Sequence, residues 1–315
     1  MKNIKDFTWK QGMTVQELMQ QYQSLGYQSI ELSRVSEVFV KMKKNSAKIL
    51  LTFTSNMVTS GLRGFFAQVL KKGMADIVVT TVGGIEEDIM KAMGETFRVG
   101  DFEADDVDLH EKGKSRVGNI LIHSESYLKL EDALLPILKK LYKKKPRWAV
   151  SEMLREIGLM LDDENSILAT AAKYNIPIFC PAITDGAFGF HLYLFQRKHP
   201  DFVIDVVKDF GNILFSVPYD DKKGVIALGG SISKHHAILL TLINGGGAEY
   251  AAYITTAHKS SGSMSGANTN EAKSWGKVKD SADVATAIGD VTILFPLAMI
   301  NAMEELQAEG LLREE

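Results

Sequence analysis

Val225-Ile-Ala-Leu-Gly-Gly-Ser-Ile-Ser-Lys-His-His236 decides the fold. Four consecutive apolar residues suit a strand buried on both faces, two glycines turn the chain, and helical spacing then runs over 233–243 until Asn244-Gly-Gly-Gly247 stops it. Strand, glycine turn and helix form the repeating half of an α/β protein, in which helical crossovers join parallel strands. The same alternation continues from about residue 46. Strands are expected at 48–53, 76–81, 119–123, 176–180, 213–216, 225–228, 250–255 and 284–288, with a further helix over 162–174. Residues 1–46 read as an amphipathic helical arm with Val15, Leu18, Met19 and Tyr22 on one stripe, packed on the body or on a neighbouring subunit. No Pro- or Ser-rich linker and no fixed-period repeat interrupts the chain, so one domain over 1–315 is expected, its core at 47–310.

The 315 residues are 45% apolar and 24% charged, which supports a large buried core and excludes a disordered chain. With 36 Lys and Arg against 39 Asp and Glu the formal charge is −3, which speaks against a nucleic-acid coat. The longest apolar run, 291–300 with Pro296 inside it, is far short of the ~18–20 residues of a membrane span. Cys180 is the sole cysteine and the first residues carry no apolar leader, so the cytoplasm is the expected location. An acidic run at 101–108 and a basic run at 139–147 read as solvated faces, with docking of a charged partner as the alternative.

In parallel α/β sheets ligands sit beyond the carboxyl ends of the strands. After 48–53 comes Thr54-Ser-Asn-Met-Val-Thr-Ser-Gly61, a hydroxyl-rich turn suited to a phosphate or to an ordinary helix cap. After 76–81 comes Thr81-Val-Gly-Gly-Ile-Glu-Glu-Asp88, where two glycines permit close backbone approach and three carboxylates are expected to open a helix. Such acids attract an ammonium or ribose hydroxyls and repel phosphate. His235 and His236 are adjacent and so face different sides of a helix, and no H-x-x-x-H or C-x-x-C occurs. No metal is therefore expected, and one histidine as general acid–base is the functional reading. The small, polar stretch from Thr255 to Glu271 reads as a loop lining a site, and it runs into Ala272-Lys-Ser-Trp-Gly-Lys277. A lysine becomes nucleophilic when desolvation lowers its pKa, and a buried wall at Trp275 would provide that; a solvated lysine is the plainer alternative. The G-x-G-x-x-G fingerprint is absent, so spacing alone establishes no nicotinamide cofactor.

Taken in order, Thr54-Ser-Asn56, Val79-Thr-Thr-Val-Gly-Gly-Ile-Glu-Glu-Asp88, Pro181-Ala-Ile-Thr-Asp-Gly186, Gly229-Gly230 with Lys234-His-His236, Ala248-Glu-Tyr250, Tyr253-Ile-Thr-Thr-Ala257, Ser274-Trp-Gly-Lys277 and Leu294-Phe-Pro-Leu297 resemble the deoxyhypusine synthase family. The likeness spans about residues 48–300. It implies a single Rossmann-like α/β domain with a mostly parallel central sheet flanked by helices, and a homotetramer with active sites across a dimer interface. It also implies NAD-dependent chemistry on spermidine. Hydride transfer converts the secondary amine to an imine, 1,3-diaminopropane leaves, and a 4-aminobutyl group passes through a Schiff base on an enzyme lysine to a lysine of the translation factor 5A precursor.

By motif, the resemblance makes Lys277 the imine-forming lysine and His235 the proton shuttle. Glu87 holds an amine of the polyamine and touches the cofactor, with Glu86 beside it. Gly262, Ser263, Glu271 and Trp275 line the polyamine path, where an indole face holds an ammonium for ~0.5–2 kcal/mol. The NAD positions implied are Ser55, Asn56, Met57, Val58, Thr59, Thr81, Val82, Gly83, Glu87, Asp185, Gly230, Thr256, Ala257, Asp290 and Val291. The sequence departs from the eukaryotic pattern at Phe190 and Met264, where aspartates contact spermidine, and at Ser261, which replaces another aspartate of the same loop. Each charge-assisted hydrogen bond to an ammonium contributes ~1.5–3 kcal/mol. Two alternatives follow: homospermidine-synthase-like transfer to a free diamine such as putrescine, and a non-catalytic NAD- or polyamine-binding protein.

Overall fold

The structure is a computed structural model that describes residues 3–314; Met1, Lys2 and Glu315 lie outside the described residues. The chain groups into two compact units. One takes in the chain up to Phe53, Lys72–Val79 and the chain from Ile213 on; the other takes in Thr54–Lys71 and Thr80–Asn212.

The first unit contains five parallel strands of the central sheet. Their order is Val278–Ile288, Ala248–Thr255, Lys223–Leu228, Lys48–Phe53, Ile77–Val79. Leu50, Leu51, Val225, Ile226, Ala251 and Ala252 are fully buried, since helices cover both faces of such a sheet and consecutive positions favour apolar side chains. Leu50 lies opposite Val225 and Phe53 opposite Leu228. Sequence order runs outward in opposite directions from the Lys48–Phe53 and Lys223–Leu228 pair. The carboxyl ends of these two strands are therefore the topological switch point, where such sheets bind ligands.

The expected arm is two helices, Val15–Tyr22 and Tyr27–Lys44, and it belongs to the body of its own unit. Thr14 and Glu17 form a capping box at the first, and Met19 is buried. The second buries Val35, Phe39 and Met42, each contributing roughly 1.5–3 kcal/mol. Ser36 Oγ donates to the Ala298 carbonyl at 2.8 Å, and the Phe39 and Phe295 rings meet edge-on at 6.4 Å, which fastens this helix along Val291–Ala308.

The second unit carries the helices Val82–Ala92, Glu125–Lys144, Val150–Gly158, Ile167–Lys173 and Ala187–Lys198 and the short strand Ile178–Phe179. Asp88, in the first of these, ties it to Ile167–Lys173 and to the helix Arg63–Lys71. Its carboxylate accepts from Arg63 Nε at 2.5 Å, Ser166 Oγ at 2.8 Å, and the N–H groups of Ile167 and Leu168 at 3.1 and 2.8 Å.

Three expectations are corrected. The 213–216 strand does not exist, because Ile213 and Leu214 end the helix Val206–Leu214, continuing a stripe with Val206, Val207 and Phe210 at three- and four-residue steps. Ile120–His123 is a strand, but it pairs antiparallel with Lys114–Val117 and Arg98–Val99, because Gly118 (φ 61°) closes a hairpin that a parallel pair cannot use. The helix expected from 162 begins at Ile167, where Ser166 Oγ caps the Ala169 N–H at 3.0 Å. No helix of the described residues is long and apolar enough to cross a membrane.

Candidate active site

In the second unit the helix Val82–Ala92 starts earlier than the acids imply. Thr81 is the N-cap, Gly83 and Gly84 fill the first turn, and Glu86, Glu87 and Asp88 lie in the second, so these carboxylates do not open the helix. Close packing fixes this. A Cβ on Gly83 would lie 2.8 Å from Ser55 Cβ, and one on Gly84 would lie 2.9 Å from Thr80 Oγ1. Thr81 leaves its own helix uncapped, and its Oγ1 instead accepts from the Ser55 N–H at 2.9 Å. A second link runs from Thr59 Oγ1 to Glu87 Oε2 at 2.6 Å. Two segments read separately in the sequence are thus one site.

The three neighbouring carboxylates are all buried, yet their duties differ. Asp88 is consumed by Arg63 and the start of the Ile167–Lys173 helix. Glu86 Oε2 accepts from the Phe188 N–H at 2.8 Å and serves the start of the Ala187–Lys198 helix; burial pushes its carboxyl up against that bond. Glu87 has Thr59 as hydrogen-bond donor and the Lys91 charge nearby. Burial outweighs both and pushes its carboxyl up to about 7. The Tyr127 phenol is pushed up to about 12 by burial and then by the charges of Glu87 and Glu86. Nothing in the sequence marks Tyr127, which comes from a helix forty residues further on. Met57 and Val58 have buried side chains, so only their backbone can meet a ligand; Asn56, Asp185 and Phe190 are exposed.

In the first unit the helix Ser231–Ile243 begins just beyond the Lys223–Leu228 strand. Gly230 is required there, since a Cβ would lie 2.2 Å from Ser265 Cα. No side chain caps this helix start. His235 is half-buried, and burial together with the Lys277 charge pushes its imidazole below the ordinary value, so it is a neutral base at neutral pH. Lys277 is 7% exposed. Its N–H bonds the Ala272 carbonyl at 3.0 Å, and its own carbonyl accepts from Thr241 Oγ1 at 2.6 Å and the Ala248 N–H at 3.0 Å. Its Nζ lies 5.1 Å from the centroid of the Trp275 ring.

Trp275 is itself 65% exposed, so it is not the buried wall expected. It follows the short helix Thr269–Ser274, and Gly276 (φ 67°) turns the chain so that the lysine goes inward while the indole keeps an open face. Glu271, Gly262 and Ser263 are exposed. The Ser261 and Ser263 hydroxyls bond each other at 2.8 Å, and Met264 packs against the apolar cluster that contains Val225, Ala227, Ile238 and Tyr253. Thr256 is exposed, and the Ala257 N–H bonds Thr255 Oγ1 at 3.1 Å. Asp290 caps the Val291–Ala308 helix through the Thr292 N–H at 2.7 Å, with the Val291 side chain buried. Lys234, absent from the expected site residues, is even more buried than Lys277.

The uncapped starts at Val82 and Ser231, each beside a glycine that no larger residue replaces without a clash, leave N–H groups that suit an anion such as a phosphate. A parallel α/β sheet carrying a buried lysine next to a neutral histidine is the frame of an enzyme. A family model for deoxyhypusine synthase matches residues 17–302. A probable deoxyhypusine synthase of Thermoplasma volcanium is 38% identical over 301 residues, covering 95% of this chain and 96% of that protein. One of Schizosaccharomyces pombe, likewise named probable, is 37% identical over 303 residues, covering 91% and 86%. A crystal structure from Entamoeba histolytica, provisionally named a deoxyhypusine synthase, matches with a TM-score of 0.67 and 27% identity, covering 95% of this chain and 96% of that one. The chain belongs to the deoxyhypusine synthase family and is an enzyme of the transferase class.

Proposed function

We propose that this enzyme transfers the 4-aminobutyl group of spermidine, through an imine on Lys277, to a lysine of the translation factor 5A precursor, with NAD as cofactor. The observation that carries this reading is the buried Lys277, its Nζ beside the Trp275 ring and its charge helping to keep His235 neutral. In this reading the enzyme works in the cytoplasm as a homotetramer.

Each unit holds residues that suit part of a dinucleotide: in the second, the uncapped helix start after Thr81, with Ser55, Thr59 and Gly83 alongside, suits a phosphate; in the first, the uncapped helix start after Gly230 does likewise. NAD, when bound, supplies the hydride acceptor that turns the secondary amine into an electrophile and the donor that reduces the final imine. Lys277 Nζ adds to the electrophilic carbon, the C–N bond to 1,3-diaminopropane breaks, and the acceptor amine later displaces Lys277 at the same carbon. His235, neutral at working pH, takes the proton from the attacking amine and returns it to the leaving one. The burial of Lys277 excludes water that would hydrolyse the enzyme-bound imine. Glu87, losing its proton near neutral pH, pairs with a polyamine ammonium.

A second reading keeps the chemistry and changes the acceptor to a free diamine such as putrescine. Two positions favour it: Met264 is turned into an apolar cluster, and Phe190 is 57% exposed, so neither offers a carboxylate to the polyamine.

The test is incubation with NAD and spermidine, borohydride reduction, and peptide mass spectrometry. A 4-aminobutyl adduct on Lys277 is expected, and its absence with NAD bound refutes the reading. Lys277→Arg keeps the charge but forms no imine, so an adduct on that variant refutes the assignment of the nucleophile. Labelled spermidine offered with the factor 5A protein or with putrescine then separates the two acceptors.

A further inference from the structure

The helix Ser231–Ile243 places Lys234 and His235 about 100° apart around its axis. His235 is the one influenced by Lys277; Lys234 goes into the protein, where it is 1% exposed. Its Nζ donates to the backbone carbonyls of Met264 at 3.0 Å and Ala267 at 2.5 Å, and lies 4.2 Å from the centroid of the Tyr253 ring. Its hydrogen-bond acceptors are carbonyls rather than carboxylates. Burial pushes the ammonium down to about 8, opposed by the charge of Glu271. A lysine is costly to bury in this way unless its donors are satisfied.

Both carbonyls belong to one loop, between Thr255 and Asn268. The loop's other side-chain bonds are internal: Ser261 Oγ with the His258 carbonyl at 2.9 Å, and Ser263 Oγ with Ser261 Oγ and the Gly266 N–H. These bonds shape the loop without attaching it to the helix that bears His235. Beyond the loop, Asn268 Oδ1 caps the helix Thr269–Ser274 by accepting from the Glu271 N–H at 2.9 Å, and that helix leads to Trp275 and Lys277.

We propose that Lys234 is a positioning residue: its ammonium clamps the Met264 and Ala267 carbonyls and so holds the polyamine loop, with Gly262, Ser263 and the Glu271 helix, in register with His235. The part concerning polyamine rests on the function proposed above. Lys234 touches no reacting atom and acts through the loop.

The test compares the full chain with Lys234→Met, which keeps the side chain's length and its packing on Tyr253 and removes the donors, and with Lys234→Arg, which keeps a donating cation. Hydrogen exchange of the amides over 258–267 is read first, with the amides of the Lys223–Leu228 strand as the check on folding. At least tenfold faster loop exchange in Lys234→Met, with strand amides unchanged and Lys234→Arg in between, is the expected result. Loop exchange equal to wild type overturns the clamp. Lys234→Arg no better protected than Lys234→Met also overturns it; if Lys234→Met fails to fold, Lys234→Gln, which keeps a neutral donor but no cation, takes its place in the same comparison. In adduct formation on Lys277, KM for spermidine rises at least tenfold in Lys234→Met while kcat changes less than threefold, and Lys234→Arg recovers part of the loss. A fall in kcat at constant KM overturns the positioning role. Wild-type protein that forms no adduct refutes the proposed function instead, and the exchange comparison still decides the clamp.

Discussion

Glu87→Gln should make this protein more stable and less active, and the gain should depend on pH. Burial raises the Glu87 carboxyl from 4.5 to about 7, a value that already includes the help of Thr59 and Lys91. Below pH 4.5 the folded and unfolded chains both hold the proton. Between 4.5 and 7 the folded chain keeps a proton that the unfolded chain has released, so stability falls as pH rises through that window, and the full penalty is in place above it. About 2.5 pKa units at 1.36 kcal/mol each is about 3 kcal/mol. Glutamine has the same shape, leaves an oxygen for Thr59 Oγ1 and cannot ionise, so it removes the penalty. Urea unfolding followed by tryptophan fluorescence, at pH 5, 6, 7 and 8 and fixed subunit concentration, measures the difference. The variant should exceed wild type by under about 1 kcal/mol at pH 5 and by about 2–4 kcal/mol at pH 8. A difference that is flat or shrinks with pH refutes the argument that burial governs this carboxyl. Under the proposed function, the same variant should bind spermidine at least tenfold more weakly, because the ammonium would lose its counter-charge. That is the stability–activity conflict typical of functional sites.

Three further outcomes are expected. Asp88→Asn should destabilise by about 3–5 kcal/mol, because Arg63 is left buried with a neutral neighbour; a loss under about 1 kcal/mol in urea unfolding would show that Asp163 alone suffices. Gly230→Ala should cost at least about 1–3 kcal/mol and lower the melting temperature, since its Cβ meets the Ser265 backbone, and a variant as stable as wild type would disprove that contact. His235→Gln should slow adduct formation on Lys277 by about 10²–10⁴-fold and abolish an acid limb that lies below the ordinary histidine value of about 6.5; an unchanged pH profile would remove His235 from proton transfer.

Much of the fold could be read along the chain. The Lys48–Phe53 strand has its expected bounds, and the strand beginning at Lys223 contains all of 225–228, because strands covered on both faces leave apolar residues on consecutive positions, interrupted in the first only by Thr52. The same rule failed at 213–216, where two apolar residues closed a helical stripe, and it could not say that Ile120–His123 pairs antiparallel, since pairing partners are not encoded in a short run. For the site, the residue types and their order identified the family. They did not reveal Tyr127, brought to the acidic residues from a distant helix, or the burial of Lys234, whose partners are main-chain carbonyls and leave no side-chain signature.

Glu86, Glu87 and Asp88 show the division most clearly. The sequence by itself determined that three carboxylates stand together after a glycine pair, in an α/β chain of a recognisable family. Only the tertiary structure assigned their work, giving Asp88 to Arg63 and Ser166, Glu86 to the Phe188 N–H, and leaving Glu87 with a single hydroxyl donor. The reason is physical: the ionisation of a buried acid depends on how much water it loses and which donors reach it, and those donors come from residues up to about a hundred positions away.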